Sequence, residues 1–287
     1  MSTKQHALMI FTKAPIPGRT KTRLTIGRGG IFTPEEASEF YRATLLDVVE
    51  IALKALDDLN DPAKTNSNQS VPESFDLVIS CSPVSEQLLL KDALREVDPD
   101  LARMRFITDS GKNFDEHFDD AFQQLFRAGY HSVVAIGGDL PNLAPSHIVQ
   151  AFRWLAYLEK GPERGAFVQA PCHECGVSLV GFTASTPMNS KGVYYNAEGM
   201  PALDAYIMKA TELGVPLATL SPVADVDDVT DLAHAASLIR AAEYSSRFQP
   251  GIFVPRHTLA FLDQNGVVVS TPPNREHDPR EAIDVAH

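Results

Sequence analysis

The chain has 287 residues, enough to bury a sizeable core in one large domain or two small ones. Its formal charge of −12 disfavours general binding to nucleic acids or anionic membranes, because nothing in the overall charge attracts phosphate. Three cysteines, Cys81, Cys172 and Cys175, are too few for a disulfide framework and fit a reducing compartment. The apolar runs are too short for a membrane span or a signal peptide, so we expect a cytoplasmic protein.

Apolar runs rich in branched residues alternate with stretches of helical period, which predicts βα units around a mainly parallel sheet. The predicted strands cover residues 8–11, 77–80, 105–107, 131–136, 166–169, 177–182 and 217–220. The predicted helices cover residues 34–55, 85–97, 114–126, 146–158, 201–213 and 229–242.

Capping residues mark the starts of two helices. Thr33 with Glu36 forms a capping box around Pro34, and Asn113 precedes the helix at 114–126. Residues 57–74 are polar and turn-forming, which indicates an exposed loop rather than a domain boundary. The charged, proline-bearing residues 271–287 are predicted to be a disordered tail. We therefore expect a single domain over residues 1–270.

A locally basic loop follows the first strand. Residues 13–28 contain no acidic residue, although the chain as a whole is acidic. Loops at the carboxyl ends of strands bind ligands in open α/β sheets, and lysine and arginine there can neutralise a diphosphate. Pro17 stiffens this backbone, and Gly18 lets it turn or approach a ligand closely. A solvated basic loop without a ligand is the alternative. The basic residues of the loop are Lys13, Arg19, Lys21, Arg23 and Arg28.

A carboxylate follows the apolar strand at 133–136. Gly137 and Gly138 precede Asp139 and would let a ligand approach the backbone, and Pro141 fixes the exit. Mg²⁺ and Mn²⁺ prefer oxygen ligands and share them with substrate phosphates, so Asp139 is a candidate metal ligand. A turn or helix-capping role for Asp139 is the alternative.

A second pair of carboxylates, Asp225 and Asp227, is spaced as in a strand, with both side chains on one face. Like charges so placed are unfavourable unless a cation lies between them, which makes both aspartates candidate metal ligands. Asp227 or Asp228 could equally cap the helix that follows.

Three segments together resemble a known family. They are residues 11–24 (FTKAPIPGRTKTRL), 137–143 (GGDLPNL) and 225–232 (DVDDVTDL). The first resembles the opening signature of small bacterial and archaeal glycosyltransferase-A-type nucleotide-diphospho-sugar transferases, of the radical-SAM/selenodomain-associated transferase type. The similarity runs from about residue 7 to 265. It implies a three-layer α/β fold with a mixed, mainly parallel sheet, and a divalent metal bound to Asp139. It also implies nucleotide-phosphate contacts from Lys13, Arg19, Lys21 and Arg23.

One segment departs from that family. Its members usually carry Gly-Pro-x-x-Asp-Gly-Gly-Tyr, whereas residues 170–177 here read APCHECGV. Glu174 keeps a carboxylate, and it is the candidate to orient or deprotonate an acceptor hydroxyl. Cys172 and Cys175 with His173 suggest zinc, but no second Cys/His pair supplies a closed site, so we assign them no metal role. His117 and His147 are interpreted as ordinary helix residues.

The leading hypothesis is a metal-dependent glycosyltransferase that uses a nucleoside diphosphate sugar, Mg²⁺ or Mn²⁺ and a small-molecule acceptor. The metal and the basic loop would stabilise the departing diphosphate. One alternative is a nucleotidyltransferase that attacks a nucleoside triphosphate with a phosphorylated small molecule and releases pyrophosphate. Another is a non-catalytic nucleotide-binding protein. The sequence favours neither nucleic acid as a partner nor a particular oligomeric state.

Overall fold

The computed structural model describes residues 3–63 and 71–270. The predicted tail, 271–287, and the middle of the predicted loop at 57–74 lie outside these residues. The strands are β1 (Lys4–Thr12), β2 (Glu73–Cys81), β3 (Met104–Ile107), β4 (Ser132–Gly137), β5 (Phe167–Pro171), β6 (Val177–Thr183) and β7 (Leu217–Thr219). The helices are α1 (Pro34–Asn60), α2 (Gln87–Leu94), α3 (Phe114–Arg127), α4 (Pro145–Leu158), α5 (Ala202–Leu213), α6 (Val229–Ser245) and α7 (Arg256–Gln264).

The seven strands form one mixed sheet in the order β3-β2-β1-β4-β6-β5-β7. β6 runs antiparallel to its neighbours β4 and β5, and the other pairs are parallel. Helices α1, α2 and α4 pack on one face, and α3 and α5 pack on the other. This confirms the predicted three-layer α/β fold with a mainly parallel sheet.

The central strand β1 is buried on both faces, as expected of a strand covered by two helical layers. Its residues from Ala7 to Ile10 are completely buried. A third apolar cluster lies beyond the sheet, where α6 and α7 pack against the start of α1. Leu24 of the basic loop is buried in this cluster and so ties the loop to the body of the protein. No helix in the described part of the chain has the length and apolarity needed to cross a membrane.

The predicted caps are confirmed. Thr33 Oγ1 accepts a hydrogen bond from the Glu36 amide at 3.1 Å, and Glu36 Oε2 accepts one from the Thr33 amide at 2.7 Å. Asn113 Oδ1 accepts from the Glu116 amide at 3.0 Å. These bonds satisfy amides that the first helical turn leaves without partners.

Three expectations are corrected. The loop expected from residue 57 begins later, because α1 continues to Asn60. Helix α7 was not predicted, because its nine residues are too few for a clear periodic pattern. Asp225 and Asp227 do not lie in a strand: they follow the edge strand β7, and the amides of Asp227 and Asp228 donate to Asp231 Oδ2 instead of to a strand. The cap of α6 thus replaces sheet pairing there.

Candidate functional site

A cleft of about 1030 Å³ opens at the carboxyl ends of β1 and β4. In open α/β sheets this is the end where ligands bind. The cleft is lined by the basic loop (residues 13–28), the segments after β2 and β3, the turn between β5 and β6, and residues 225–227. The candidate site residues that line it are Lys13, Arg19, Lys21, Arg23, Gly137, Asp139, Glu174, Asp225 and Asp227.

The basic loop is an ordered, anchored structure. Thr20 is buried, and its Oγ1 donates to the Ile16 carbonyl at 3.2 Å, closing a turn through Pro17 and Gly18. Gly18 has a φ of 74°, which favours glycine. Pro17 and Gly18 do not line the cleft, so they shape the loop rather than its ligand-facing surface.

Lys21 is the buried cation of the site. Its Nζ lies 2.5 Å from Asp139 Oδ2 and 2.8 Å from Asp227 Oδ1, and its side chain is only 6% exposed. Burial by itself lowers the pKa of Lys21, but the negative charges of Asp139 and Asp227 outweigh it and raise the pKa overall. Lys21 therefore remains an ammonium ion held between two carboxylates.

The other basic residues of the loop are more exposed. Arg23 Nη1 lies 3.5 Å from Asp227 Oδ2, with 64% of its side chain exposed. Arg19 Nη1 donates to Glu86 Oε1 at 2.5 Å, and its side chain is 61% exposed. Lys13 is exposed at the cleft surface. These three side chains can turn towards a bound anion at little cost in packing.

The structure favours glycine at positions 137 and 138 for two different steric reasons. A Cβ at Gly137 would lie 2.7 Å from Asp139 Oδ1, so glycine there leaves room for the carboxylate. A Cβ at Gly138 would lie 2.7 Å from Thr12 Oγ1 and 3.1 Å from Tyr41 Oη. Gly138 therefore permits packing against β1 and α1, and it does not line the cleft.

Three carboxylates converge on the cleft. Asp225 is partly buried, and burial, followed by the charges of Asp139 and Asp227, raises its pKa to about 6. Burial is the main cause of this shift, and the two neighbouring carboxylates add to it although Lys21 opposes them. Oxygen ligands of this kind suit Mg²⁺ or Mn²⁺, and the Lys21 ammonium stands where a cation would contact Asp139 and Asp227. The donor set therefore fits a divalent metal.

The three aspartates do not form a closed ligand set around one point. Among residues 3–63 and 71–270, a trio of metal-ligating atoms within 4.8 Å of one another occurs at Asp47, Glu50 and His257 only. That trio does not line the cleft, and Asp47 accepts hydrogen bonds from the His257 and Thr258 amides at 3.0 and 2.7 Å. Asp47 thus attaches the start of α7 to α1, which is a structural role.

The Cys172–Gly176 turn forms the rim of the cleft between β5 and β6. The Cys172 amide donates to the Gly176 carbonyl at 3.0 Å, which closes the turn. Glu174 and Cys175 have φ values of 54° and 60°, which residues other than glycine rarely adopt. Glu174 is exposed and lines the cleft. Strained residues held at a cleft often belong to a functional site.

The two cysteines of this turn differ in environment. Burial raises the pKa of the Cys172 thiol, and the charge of Asp225 and a hydrogen bond to it raise the pKa further. Cys175 is exposed. His173 Nδ1 lies 2.8 Å from Asp231 Oδ1 at the start of α6. Cys172 therefore serves the carboxylate cluster as a neutral hydrogen-bonding group.

Sequence reasoning missed a second polar group in the cleft. Asp109 is buried, and its carboxylate lies 2.6 Å from His117 Nδ1 and accepts hydrogen bonds from Ser80 and Ser82 at 2.7 Å each. His117, interpreted above as an ordinary helix residue, lines the cleft. Asp109 follows β3 as Asp139 follows β4. This position after a strand was the feature of the sequence that could have identified Asp109 as a candidate site residue.

Aromatic rings border the same end of the cleft. Phe11 and Phe118 pack edge to face with centroids 5.1 Å apart, and Phe114 contacts Tyr194 at 4.7 Å. Tyr195 is 80% exposed, and its centroid lies 6.0 Å from that of Phe114. Exposed aromatic faces next to a polar pair offer a surface for stacking a flat ring.

Comparisons with known proteins agree with this architecture. Residues 72–196 match the model of a family described as "Uncharacterized protein conserved in bacteria (DUF2064)". A structure from Desulfovibrio desulfuricans G20, provisionally named a nucleotide-diphospho-sugar transferase, is similar with a TM-score of 0.67 and 22% identity. The similarity covers 92% of this chain and 96% of that one. No curated protein matches the sequence.

Similarity to a further structure is weaker. A cytidylyltransferase from Leptospira borgpetersenii has a TM-score of 0.49 and 11% identity, over 96% of this chain and 100% of that one. At this level the likeness bears on neither substrate nor metal. The fold expected from the sequence motifs is confirmed by the similarity to the Desulfovibrio desulfuricans G20 structure, and residues 72–196 match the DUF2064 family model.

Proposed function

We propose that the protein is a metal-dependent glycosyltransferase that takes its sugar from a nucleoside diphosphate sugar. The observation that carries this proposal is the Lys21 ammonium between Asp139 and Asp227, at the base of a cleft bordered by further basic side chains. To bind a metal–diphosphate complex, a site needs carboxylates that hold the metal ion and basic side chains that hold the phosphates. The cleft presents both kinds of group.

Each group has a role in this proposal. Asp139, with Asp225 and Asp227, would hold Mg²⁺ or Mn²⁺, and the ion would supply positive charge to the departing diphosphate. Lys13, Lys21, Arg19 and Arg23 bind the phosphate oxygens. The Arg19 side chain is largely exposed, so it can reach a phosphate oxygen, while the Glu86 carboxylate that it contacts is buried.

The acceptor side of the proposal rests on the turn at the rim. Glu174 is exposed there, and no hydrogen bond or ion pair of its side chain is found within residues 3–63 and 71–270. Its carboxylate is therefore free to accept a proton or a hydrogen bond from an acceptor hydroxyl. This role distinguishes Glu174 from Asp139, which is engaged with Lys21.

The proposal is tested by a product assay that does not require the acceptor to be known. The protein is incubated with a panel of nucleoside diphosphate sugars, with and without Mn²⁺, and released nucleoside diphosphate is measured by chromatography. Parallel reactions contain nucleoside triphosphates and phosphorylated small molecules, with pyrophosphate as the readout. We expect Mn²⁺-dependent release of a nucleoside diphosphate that Asp139→Asn abolishes.

Two results would contradict the proposal. Pyrophosphate release from a nucleoside triphosphate, with intact sugar nucleotides, would make the protein a nucleotidyltransferase on the same fold. Binding of nucleotides in a thermal-shift assay without turnover of any donor would indicate a non-catalytic nucleotide-binding protein.

A further inference from the structure

Lys21 is part of the basic loop, which is proposed to bind the diphosphate, and also contacts two of the three carboxylates that are proposed to hold the metal. We propose that Lys21 is the resident counter-ion of these carboxylates, that it must leave them before a divalent cation binds, and that metal and nucleotide therefore bind together. This inference rests on the proposed function and adds to it the coupling between metal binding and nucleotide binding.

The geometry makes the two cations competitors. Asp139 Oδ2 and Asp227 Oδ1 both lie within 2.8 Å of Nζ, so the ammonium occupies the space in which a metal ion would contact both. Carboxylate oxygens bind Mg²⁺ at about 2.0–2.1 Å, and the ion still needs room for its water and phosphate ligands. At 2.5 and 2.8 Å, the contacts of Nζ with Asp139 and Asp227 are direct and leave no room for a water molecule between them.

The loop geometry allows the exchange. Lys21 has a φ of 47°, an uncommon backbone state for a residue with a side chain, and the ion pairs help to hold it. Its neighbours Arg19 and Arg23 are more than half exposed and already lie at the cleft. A diphosphate bound by these arginines offers Lys21 new oxygen partners a short distance from the aspartates. Lys21 then keeps a partner after it leaves the carboxylates.

Charge balance favours simultaneous binding. Three carboxylates, those of Asp139, Asp225 and Asp227, line the cleft with one buried ammonium, that of Lys21. A divalent ion added alone would displace Lys21 and leave an ammonium without an anion. A diphosphate added alone would draw Lys21 away and leave the aspartates without a cation. Each ligand supplies the oppositely charged partner that binding of the other would remove. Each must therefore raise the affinity of the other by the same factor.

The experiment measures Mn²⁺ binding by electron paramagnetic resonance, without turnover. The parent protein, Lys21→Met and Arg28→Met are titrated with Mn²⁺ alone and with a nucleoside diphosphate present. Arg28→Met removes one positive charge from the same loop at an exposed position that contacts no carboxylate among residues 3–63 and 71–270. We expect Lys21→Met to bind Mn²⁺ alone at least tenfold more tightly than the parent and Arg28→Met. The factor by which nucleotide raises Mn²⁺ affinity should fall in Lys21→Met.

A second measurement uses the parent protein and does not depend on how well Lys21→Met folds. Acetic anhydride labels free amines, and peptide mass spectrometry gives the labelling rate of Lys21. We expect slow labelling in the free protein and faster labelling when saturating Mn²⁺ displaces the ammonium. Unchanged labelling with Mn²⁺ bound, or equal Mn²⁺ affinity in Lys21→Met and the parent, would overturn the inference alone. Failure of the parent to bind Mn²⁺ even with nucleotide would overturn the proposed metal-dependent function as well.

Discussion

Lys21 and Asp139 are separated by 118 positions in the chain, yet Lys21 Nζ lies 2.5 Å from Asp139 Oδ2. The contact joins the loop after β1 to the loop after β4, and these strands are parallel neighbours in the sheet. Because parallel neighbours end at the same edge, their following loops meet there. The two most informative motifs of the sequence thus meet at one cleft.

Asp139→Asn tests the metal site. The amide keeps the shape of the side chain but removes the charge, so Mn²⁺-dependent stabilisation by nucleoside diphosphate should largely disappear. Thermal unfolding with and without both ligands gives the result. Asp204→Asn, at an exposed position of α5, is the charge-matched control and should keep the stabilisation. An unchanged shift in Asp139→Asn would mean that Asp139 is only a turn residue.

Arg23→Met and Lys21→Met should separate ligand binding from folding. Both residues belong to the basic loop, but Lys21 is buried between two carboxylates whereas Arg23 is exposed. Arg23→Met should change the free energy of unfolding by less than about 1 kcal/mol and lower nucleotide affinity about tenfold or more. Lys21→Met should cost about 1–3 kcal/mol, because Asp139 and Asp227 lose their shared donor. Denaturant unfolding and nucleotide titration check this; equal stability of the two variants would contradict it.

Glu174→Gln should act on turnover and not on nucleotide binding. Glutamine keeps the size of the side chain but cannot accept a proton, so kcat should fall at least tenfold while the Kd of a bare nucleoside diphosphate stays within about twofold. Glu198→Gln, in the exposed loop before α5, serves as the control. If Glu174→Gln weakens nucleotide binding and leaves kcat unchanged, the turn belongs to the nucleotide site.

The two cysteines at the rim should react differently with iodoacetamide. The reagent attacks thiolates, and burial and the adjacent Asp225 raise the pKa of Cys172, whereas Cys175 is exposed. Burial also raises the pKa of Cys81, to about 11. Peptide mass spectrometry should therefore show Cys175 labelled first. Protection of both rim cysteines together, with stoichiometric zinc that Cys172→Ser removes, would instead establish a zinc site in the turn.

His6 should make the protein less stable in mild acid. Burial, followed by the charges of His131 and Lys4, lowers the pKa of His6 to about 4, while Glu73 lies 3.9 Å away. The unfolded chain, with a histidine pKa of about 6.5, binds the proton more readily. Stability should therefore fall by about 2–3 kcal/mol as pH drops from 6.5 to 4, and this contribution should then level off.

Urea unfolding at several pH values measures the effect. His6→Asn keeps a polar atom near Ser132 Oγ, which lies 2.7 Å from His6 Nδ1, but it does not titrate. The variant should be less stable at pH 7 and should have a smaller acid slope than the parent. Identical slopes would assign the acid sensitivity to another group.

Local signals were sufficient for most elements. Thr33 with Glu36 and Asn113 marked helix starts that the structure confirms, because a capping residue acts on amides within its own first turn. The burial of β1 was also evident from its unbroken apolar run. Asp225 and Asp227 were assigned a strand-like spacing, but they lie in an extended segment that pairs with no strand in the described part of the chain. Alternation of polar and apolar residues is common to both kinds of segment, so the pattern could not distinguish them.

The sequence by itself determined the α/β pattern, the basic loop and the positions of the carboxylates, since these depend on spacing along the chain. Only the tertiary structure decided that Lys21 is buried between Asp139 and Asp227, and that Asp109 holds His117 at the cleft. Both arrangements join residues from different strand ends. Which side chains meet there depends on strand order and on burial, and no local pattern of the sequence contains either.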